Sequence, residues 1–189
     1  MKKNAWIIVG SIAAVVLILV FWYIAVYNSL IRMNEEVNGK WAQVETQYQR
    51  RVDLIPNLVS TVKGAANFES STLEEITRLR SQWQSASSVN ERIETANQIE
   101  SALSRLLLVA ENYPQLQATK NFQSLQDELS NTENKIAVER GRYNEAVKEF
   151  NARIKLFPTS IIAGTLGFDE RGYFEAQAGS ESAPQVVFA

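Results

Sequence analysis

The sequence contains neither cysteine nor histidine. Without cysteine the chain can form no disulfide bond and offers no thiolate as nucleophile or metal ligand. Without histidine it has no imidazole base, no Ser-His-Asp triad and no histidine-ligated metal, which also excludes the Glu-x-x-His di-iron sites found in some helical bundles. The commonest routes to enzyme and metal chemistry are therefore absent.

Other kinds of site are also missing from the sequence. The 189 residues include 19 basic and 21 acidic side chains, a formal net charge of −2, and no basic cluster of the kind that binds nucleic acid. No glycine-rich phosphate loop is present. The carboxylates are scattered over helix faces, as at Glu145 and Glu149, and do not suggest a pair facing across a cleft. We predict no catalytic residue, no metal site, no cofactor and no nucleic-acid partner.

Glycine and proline are sparse where they would interrupt helices. No glycine lies between residues 65 and 140, and three of the four prolines are far apart, at positions 56, 114 and 158. Because glycine and proline are the residues that most often end helices, this spacing leaves room for long ones. The fold class predicted is all-α.

What the sequence does have is one long apolar run. Residues 5–27 carry no charge and follow a short N-terminal flank, residues 1–4. A bilayer core is spanned by ~20 apolar helical residues, whereas the apolar region of a cleaved signal peptide has ~7–15. We therefore predict a transmembrane anchor. The aromatic residues expected at its two membrane interfaces are Trp6, Trp22, Tyr23 and Tyr27.

Heptad-like spacing of apolar residues predicts four helices over residues 28–157. The first continues out of the anchor to Lys63, the second begins near Ser71, the third near Asn90, and the fourth follows an apolar seam from Phe122 to Phe157. The first and last are the longest, and short connections favour antiparallel neighbours. The predicted architecture is a transmembrane helix that continues into an antiparallel up-down-up-down four-helix bundle.

A polar layer is predicted inside this bundle. Arg51 stands where the heptad spacing of the first helix calls for an apolar residue. Residues 131–134 place polar side chains in the middle of the apolar seam of the fourth helix. When residues are counted from the membrane-proximal ends of the first and fourth helices, these two polar positions lie at distances from the membrane that differ by ~3 Å. The residues assigned to the structural layer are Arg50, Arg51, Asp53 and Glu133, with Glu139 and Asp127 as other partners for Arg51. The alternative role is an electrostatic contact with lipid phosphate or with a carboxylate of a partner protein. Pro56 is expected to kink or locally break the first helix.

The segment after the fourth helix is apolar but too short to span a membrane. Residues 158–178 are predicted to lie near the membrane, either touching lipid or a neighbouring subunit or folding as a cap over the bundle. The residues expected to make that contact are Ile161, Ile162, Leu166 and Phe168. Residues 179–189 are predicted to form a flexible tail, with addition of its short apolar end to a partner surface as the alternative.

Three segments of the sequence resemble the LemA family. They are RRVDLIPNLVSTVKGAANFE at residues 50–69, the run from ENYPQLQ to VKEFN at residues 111–151, and FPTSIIAGTLGF at residues 157–168. The resemblance implies a single-pass protein of the bacterial inner membrane that carries a helical bundle, and it supplies no catalytic residues because the family has no established activity. Some members are linked to magnetosome membranes.

The side of the membrane on which the bundle lies is left open by two opposing arguments. Lys2 and Lys3 precede the anchor, and Arg32 and Lys40 follow it, so the positive-inside rule leans towards a cytoplasmic N-terminus and an external bundle. The resemblance implies the opposite, with the bundle in the cytoplasm.

The function predicted from these features is a non-enzymatic membrane-anchored scaffold. An anchor confines the chain to a plane, and amphipathic helices offer lateral faces, so we expect self-association through the faces of the bundle and of the membrane-proximal segment. The expected partners are the lipid bilayer and further copies of the chain. The alternative is an adaptor or accessory subunit of another membrane protein, such as a protease or an envelope-stress component.

Overall fold

The computed structural model describes residues 2–64 and 70–174, and all regular structure in these two ranges is helical. The prediction of an all-α chain is confirmed. Residues 175–178 of the predicted membrane-proximal segment and the predicted tail, residues 179–189, lie outside the described residues. The helices are α1 Lys2–Lys63, α2 Ser70–Ser85, α3 Val89–Ala110, α4 Pro114–Gln117, α5 Lys120–Lys155 and α6 Thr159–Thr165.

Helix α1 contains the predicted anchor and continues well beyond it. Within the described ranges it is the one helix long and apolar enough to cross a membrane, and none of its most apolar stretch is buried. Burial begins at Val26 and Leu30, where other parts of the protein cover the helix. The chain thus passes from an uncovered apolar segment into a packed one without leaving the helix.

Pro56 lies inside α1 and does not end it. The helix continues for seven more residues to Lys63. Proline removes one backbone donor and crowds the preceding turn. The flanking residues Ile55 and Leu58 are both buried, and tertiary packing of an apolar face is the main source of helix stability in proteins. A kink or a local break was expected at Pro56, and the structure has no local break there.

A capping box starts α3. Ser88 adopts an extended conformation at the N-cap, its hydroxyl oxygen accepts from the Glu91 amide at 3.2 Å, and the Glu91 carboxylate accepts from the amides of Ser88 and Ser87. These backbone donors stabilise the charged form and lower the pKa of Glu91. The Ser-x-x-Glu spacing at residues 88–91 is a recognised helix-start signal.

The chain divides into two compact units, and helices α1 and α5 contribute residues to both. Unit 1 consists of Met1–Trp41 and Arg142–Tyr173, and unit 2 of Ala42–Gly141 and Phe174–Ala189. The described core of unit 1 comprises Val26, Leu30, Val37, Trp41, Tyr143, Ala146, Val147, Phe150, Ile154, Ile162 and Ala163. In unit 2, α3 packs against both α2 and α4.

One predicted seam position is wrong. Phe157 was expected to close the apolar seam of the fourth helix, but its side chain is 81% exposed. Helix α5 ends at Lys155, two residues earlier. Beyond that point the helical repeat no longer sets the direction of the side chain, and Phe157 leaves the seam.

Candidate functional site

Arg51 is the centre of a buried polar cluster in unit 2. Its side chain is only 2% exposed. The guanidinium donates to the Glu133 carboxylate at 2.9 Å and to the Leu129 carbonyl at 3.3 Å, and its Nε lies 3.4 Å from the Thr132 hydroxyl. These contacts join α1 to α5. Arg51 therefore has a counter-charge and several acceptors in a place where an unpaired charge would be costly.

The structure brings together two of the four residues assigned to the polar layer. Arg51 meets Glu133, whereas Arg50 and Asp53 are exposed, and the Asp53 carboxylate accepts from the Gln49 amide at 2.8 Å. Successive residues of a helix are turned by about 100°. With Tyr48, Val52 and Ile55 buried, residue 51 falls on the packed face of α1 and residues 50 and 53 fall outside it. The layer is narrower than the sequence predicts.

A second ion pair extends the cluster to α3. The Arg140 guanidinium lies 3.1 Å from the Glu100 carboxylate, and both side chains are almost buried. Burial raises the pKa of Glu100, the charge of Glu133 raises it further, and Arg140 opposes the shift. The two pairs therefore influence each other electrostatically, and together they connect α1, α3 and α5.

Arg140 was not among the predicted site residues, although the spacing of apolar residues along the fourth helix pointed to it. The predicted seam of the fourth helix steps directly from Ile136 to Tyr143, which skips one turn, and Arg140 stands in that gap. Arg51 fills the corresponding gap of the first helix. An arginine in a skipped heptad position marks the buried cluster on both helices.

Tyr48 lies beside the ion pairs and is fully buried. Its ring packs against Trp83 with centroids 5.3 Å apart and against Phe174 at 6.2 Å, and the Arg140 guanidinium lies over the Phe174 ring. Burial raises the pKa of Tyr48 to about 12, although the nearby guanidinium of Arg140 lowers it. The phenol is therefore neutral throughout the physiological range, and we assign it a packing role.

Replacing Tyr48 with phenylalanine should remove one cause of alkaline unfolding. The phenol keeps its proton in the folded chain but loses it in the unfolded chain above about pH 10, so its contribution to stability is lost as pH rises from there. Between pH 10 and pH 11, the free energy of unfolding of the native chain should fall by roughly 1 kcal/mol relative to that of Tyr48→Phe. Urea titrations in detergent at both pH values measure this difference. Parallel behaviour of the two chains would show that Tyr48 is accessible to solvent.

The cluster has the composition of a structural element. Within residues 2–64 and 70–174, no group of three or more acidic, cysteine or histidine side chains is placed to hold a metal ion. The two arginines and two glutamates form ion pairs with one another, and Arg51 reaches a backbone carbonyl as well. Buried ion pairs of this kind fix which helix faces meet and in what register.

A second polar site, in unit 1, holds the segment that follows α6. Asn151 is buried on α5, and its side-chain amide both donates to the carbonyl of Arg171 at 2.9 Å and accepts from the amide of the same residue at 2.8 Å. The Arg171 guanidinium donates to Asn34 on α1 at 2.7 Å, and the Tyr143 hydroxyl donates to the Gly172 carbonyl at 3.0 Å. Side chains of α1 and α5 thus replace the backbone partners that an irregular segment lacks.

The predicted membrane-interface residues and contact residues all lie in unit 1. Trp6, Trp22, Tyr23 and Tyr27 are exposed on α1. Among the predicted contact residues, Ile161 faces outward, Ile162 is buried, and Leu166 and Phe168 are half-buried. Phe168 packs edge-on against Phe150, with ring centroids 5.6 Å apart. Leu156 and Phe157, which the prediction omitted, are exposed beside this segment.

The Arg51 cluster, and all of the second polar site except Asn34, fall within the part of the chain that matches a known family. A sequence model of the LemA family matches residues 40–188. The chain belongs to the LemA family. The match includes the Arg51 cluster and the segment held by Asn151, and it begins after the apolar part of α1.

Several named proteins are similar to this chain over most of its length. Protein LemA of Metamycoplasma hominis is 28% identical over 157 residues, which cover 82% of this chain and 72% of the relative. The magnetosome protein MamQ 2 of Paramagnetospirillum magneticum is 25% identical, with coverages of 82% and 67%. MamQ of Magnetospirillum gryphiswaldense is 24% identical, with coverages of 85% and 70%. None of these names describes an enzyme.

Proposed function

We propose that this LemA-family chain is a non-enzymatic scaffold, anchored by a single span in the bacterial inner membrane and self-associating in its plane. The observation that carries the proposal is the continuity of α1, which runs as one helix from Lys2 to Lys63. Its first part is uncovered and apolar, and its second part supplies core side chains such as Leu30 and Tyr48. A helix has no hinge of the kind a flexible linker provides, so the residues of unit 1 that pack on α1 would be held at a fixed distance from the span.

The arrangement proposed for the folded part is the antiparallel up-down-up-down bundle. In unit 2, Tyr48 of α1 lies near Arg140 of α5, and Arg51, three residues further along α1, meets Glu133, seven residues earlier on α5. This order of contacts supports opposite directions for the two helices. The polar groups in the packed region serve to fix helix register, which supports a structural role for the chain and not a catalytic one.

Self-association is supported by apolar side chains on otherwise polar helix surfaces. Leu108 on α3 and Val138 on α5 are both exposed in unit 2. Single exposed apolar residues are normal on soluble proteins and bind weakly alone. Confinement to a membrane raises the effective concentration of neighbouring copies, so weak lateral contacts gain strength without any new interaction.

Native mass spectrometry of the full chain, after gentle extraction from its own membrane, tests the proposal. We expect one homogeneous homo-oligomer. Leu108→Gln with Val138→Gln should shift the population towards monomer, because both side chains are exposed and their loss weakens only lateral contacts. Ser81→Gln, on the exposed surface of α2, is the matched control. A monomer that co-purifies in fixed ratio with another membrane protein would overturn the scaffold in favour of the adaptor alternative.

A further inference from the structure

Two contacts within unit 1 set the register between α1 and α5. The rings of Trp41 and Tyr143 pack edge-on with centroids 5.7 Å apart. Arg171 bridges the same two helices at a second level, through Asn34 on α1 and Asn151 on α5. From the first contact to the second, the residue number falls on α1, from Trp41 to Asn34, and rises on α5, from Tyr143 to Asn151. In unit 1 the two helices therefore run in opposite directions.

This register places the end of α5 beside the end of the apolar span. Phe157 comes fourteen residues after Tyr143, and Tyr27 comes fourteen residues before Trp41. Fourteen helical residues cover about 21 Å on each helix. Although α5 itself ends at Lys155, the turn that follows starts at nearly this height. The corner between α5 and α6 therefore lies at the level of Tyr27.

The pattern of buried residues along α1 independently places the lower edge of the packed protein near Tyr27. Val26 and Leu30 are covered by protein, whereas Tyr23 and Ile24, only a few residues earlier, are exposed. The packed part of the protein thus reaches down α1 as far as Val26. That is within one residue of the position at which the apolar run of residues 5–27 ends.

The corner at this level carries exposed apolar side chains. Phe157 is 81% exposed, Ile161 is 61% exposed, and Leu156 beside them is also exposed. Their neighbours in α6, Ile162 and Ala163, are buried, so the short helix keeps one side packed and turns Ile161 outward. We call Leu156, Phe157 and Ile161 the apolar foot.

We propose that the apolar foot enters the boundary between headgroups and acyl chains of the bilayer, as a second point of membrane contact beside the span. The occupant is lipid, because the foot lies at the level of Tyr27, where the exposed apolar run that includes Trp22 and Tyr23 ends. Aromatic side chains favour this depth, and short amphipathic segments bind there through their apolar face. The anchor holds the foot at this depth in every molecule, whatever the number of copies.

The inference rests on the proposed membrane anchoring, but it does not require self-association. One helix crossing a membrane leaves the attached domain free to rotate about the helix and to tilt. A second contact, in the turn after α5 and on α6, removes that freedom for the residues of unit 1. The foot would thereby fix which side of unit 1 faces the bilayer.

Site-directed spin labelling of the full chain in phosphatidylcholine vesicles tests the foot. The natural absence of cysteine allows a single label at Ile161→Cys without other changes. The matched control is Glu145→Cys, which is exposed on α5 and about 15 Å from the end of that helix at Lys155. We expect the label at 161 to be reached by dissolved oxygen several-fold more than by a water-soluble nickel chelate, relative to the label at 145. Adding Phe157→Ser should reduce this ratio several-fold.

Vesicle flotation of the same samples tests the membrane anchor separately from the apolar foot. Protein that floats with the vesicles but has equal accessibility ratios at 161 and 145 would overturn the foot and leave the anchor intact. A label at 161 that is shielded from both oxygen and nickel chelate would also overturn it, since protein and not lipid would then cover the site. Protein that fails to float would overturn the anchor and the foot together. An oligomer detected by mass spectrometry bears on neither result.

Discussion

Replacing Glu133 with glutamine should lower the free energy of unfolding by about 2–3 kcal/mol, and adding Arg51→Met to the same chain should restore most of that loss. Glu133 is 55% exposed, so the carboxylate itself is partly hydrated and loses little when changed. Arg51 is only 2% exposed and would keep its charge without its nearest counter-charge. Most of the expected loss in the free energy of unfolding therefore comes from the buried guanidinium, which stays charged without Glu133.

The double variant removes that charge and puts an unbranched apolar side chain in its place. Replacing both members of a buried ion pair with apolar groups is often close to neutral, whereas removing one member is costly. Arg50 provides a matched control, because it is the adjacent arginine but is exposed. Arg50→Met should not rescue Glu133→Gln, and by itself it should change the free energy of unfolding by less than about 0.5 kcal/mol.

Urea titrations of the full chain in a mild detergent, followed by circular dichroism, provide the four free energies of the double-mutant cycle. Exchanging the charges, with glutamate at 51 and arginine at 133, adds a second comparison with each single reversal. If the losses in either cycle simply added up, Arg51 would not depend on Glu133, and the pairing would be without energetic importance. Glu128→Gln, an exposed change on the same helix, controls for the loss of one negative charge from α5.

The sequence was most informative where the side-chain pattern has a single physical cause. The apolar run and the scarcity of helix-ending residues depend only on composition, and they predicted the helical class and the long first helix. Arg51 and Glu133 were placed together by counting residues along two helices, since helical rise is constant. The same count could not show that Arg50 and Asp53 lie outside the layer, because it gives height and not rotation about the axis.

Other features depend on tertiary partners that lie far away in the sequence. Phe157 continues the heptad spacing, so only the end of α5 at Lys155 reveals that it is exposed. Glu100 shows no local sign of its pairing with Arg140, which is forty residues away. The role of Asn151 depends on the backbone of Arg171, and a side-chain pattern carries no information about which backbone groups lack partners.

Replacing Asn151 with alanine should release the segment that follows α6. The change removes both hydrogen bonds to the backbone of Arg171 and leaves an amide and a carbonyl without those partners. The site is partly buried, so we expect a local loss of about 2 kcal/mol, which corresponds to roughly thirtyfold faster hydrogen exchange at the Arg171 amide. Hydrogen–deuterium exchange with mass spectrometry of the full chain in detergent measures this at peptide resolution.

Two further variants distinguish the hydrogen bonds from a general loss of packing. Asn134→Ala lies on the same helix but at an exposed position, and it should leave exchange near Arg171 unchanged. Asn151→Asp keeps an acceptor for the Arg171 amide and loses the donor to its carbonyl, so it should expose the segment but protect that amide better than alanine does. Equal exchange in the aspartate and alanine variants would contradict a specific role for the amide, because it would mean that any change at this buried position loosens the segment. A graded response would instead show that one side chain on α5 holds the irregular chain between α6 and Tyr173 in place.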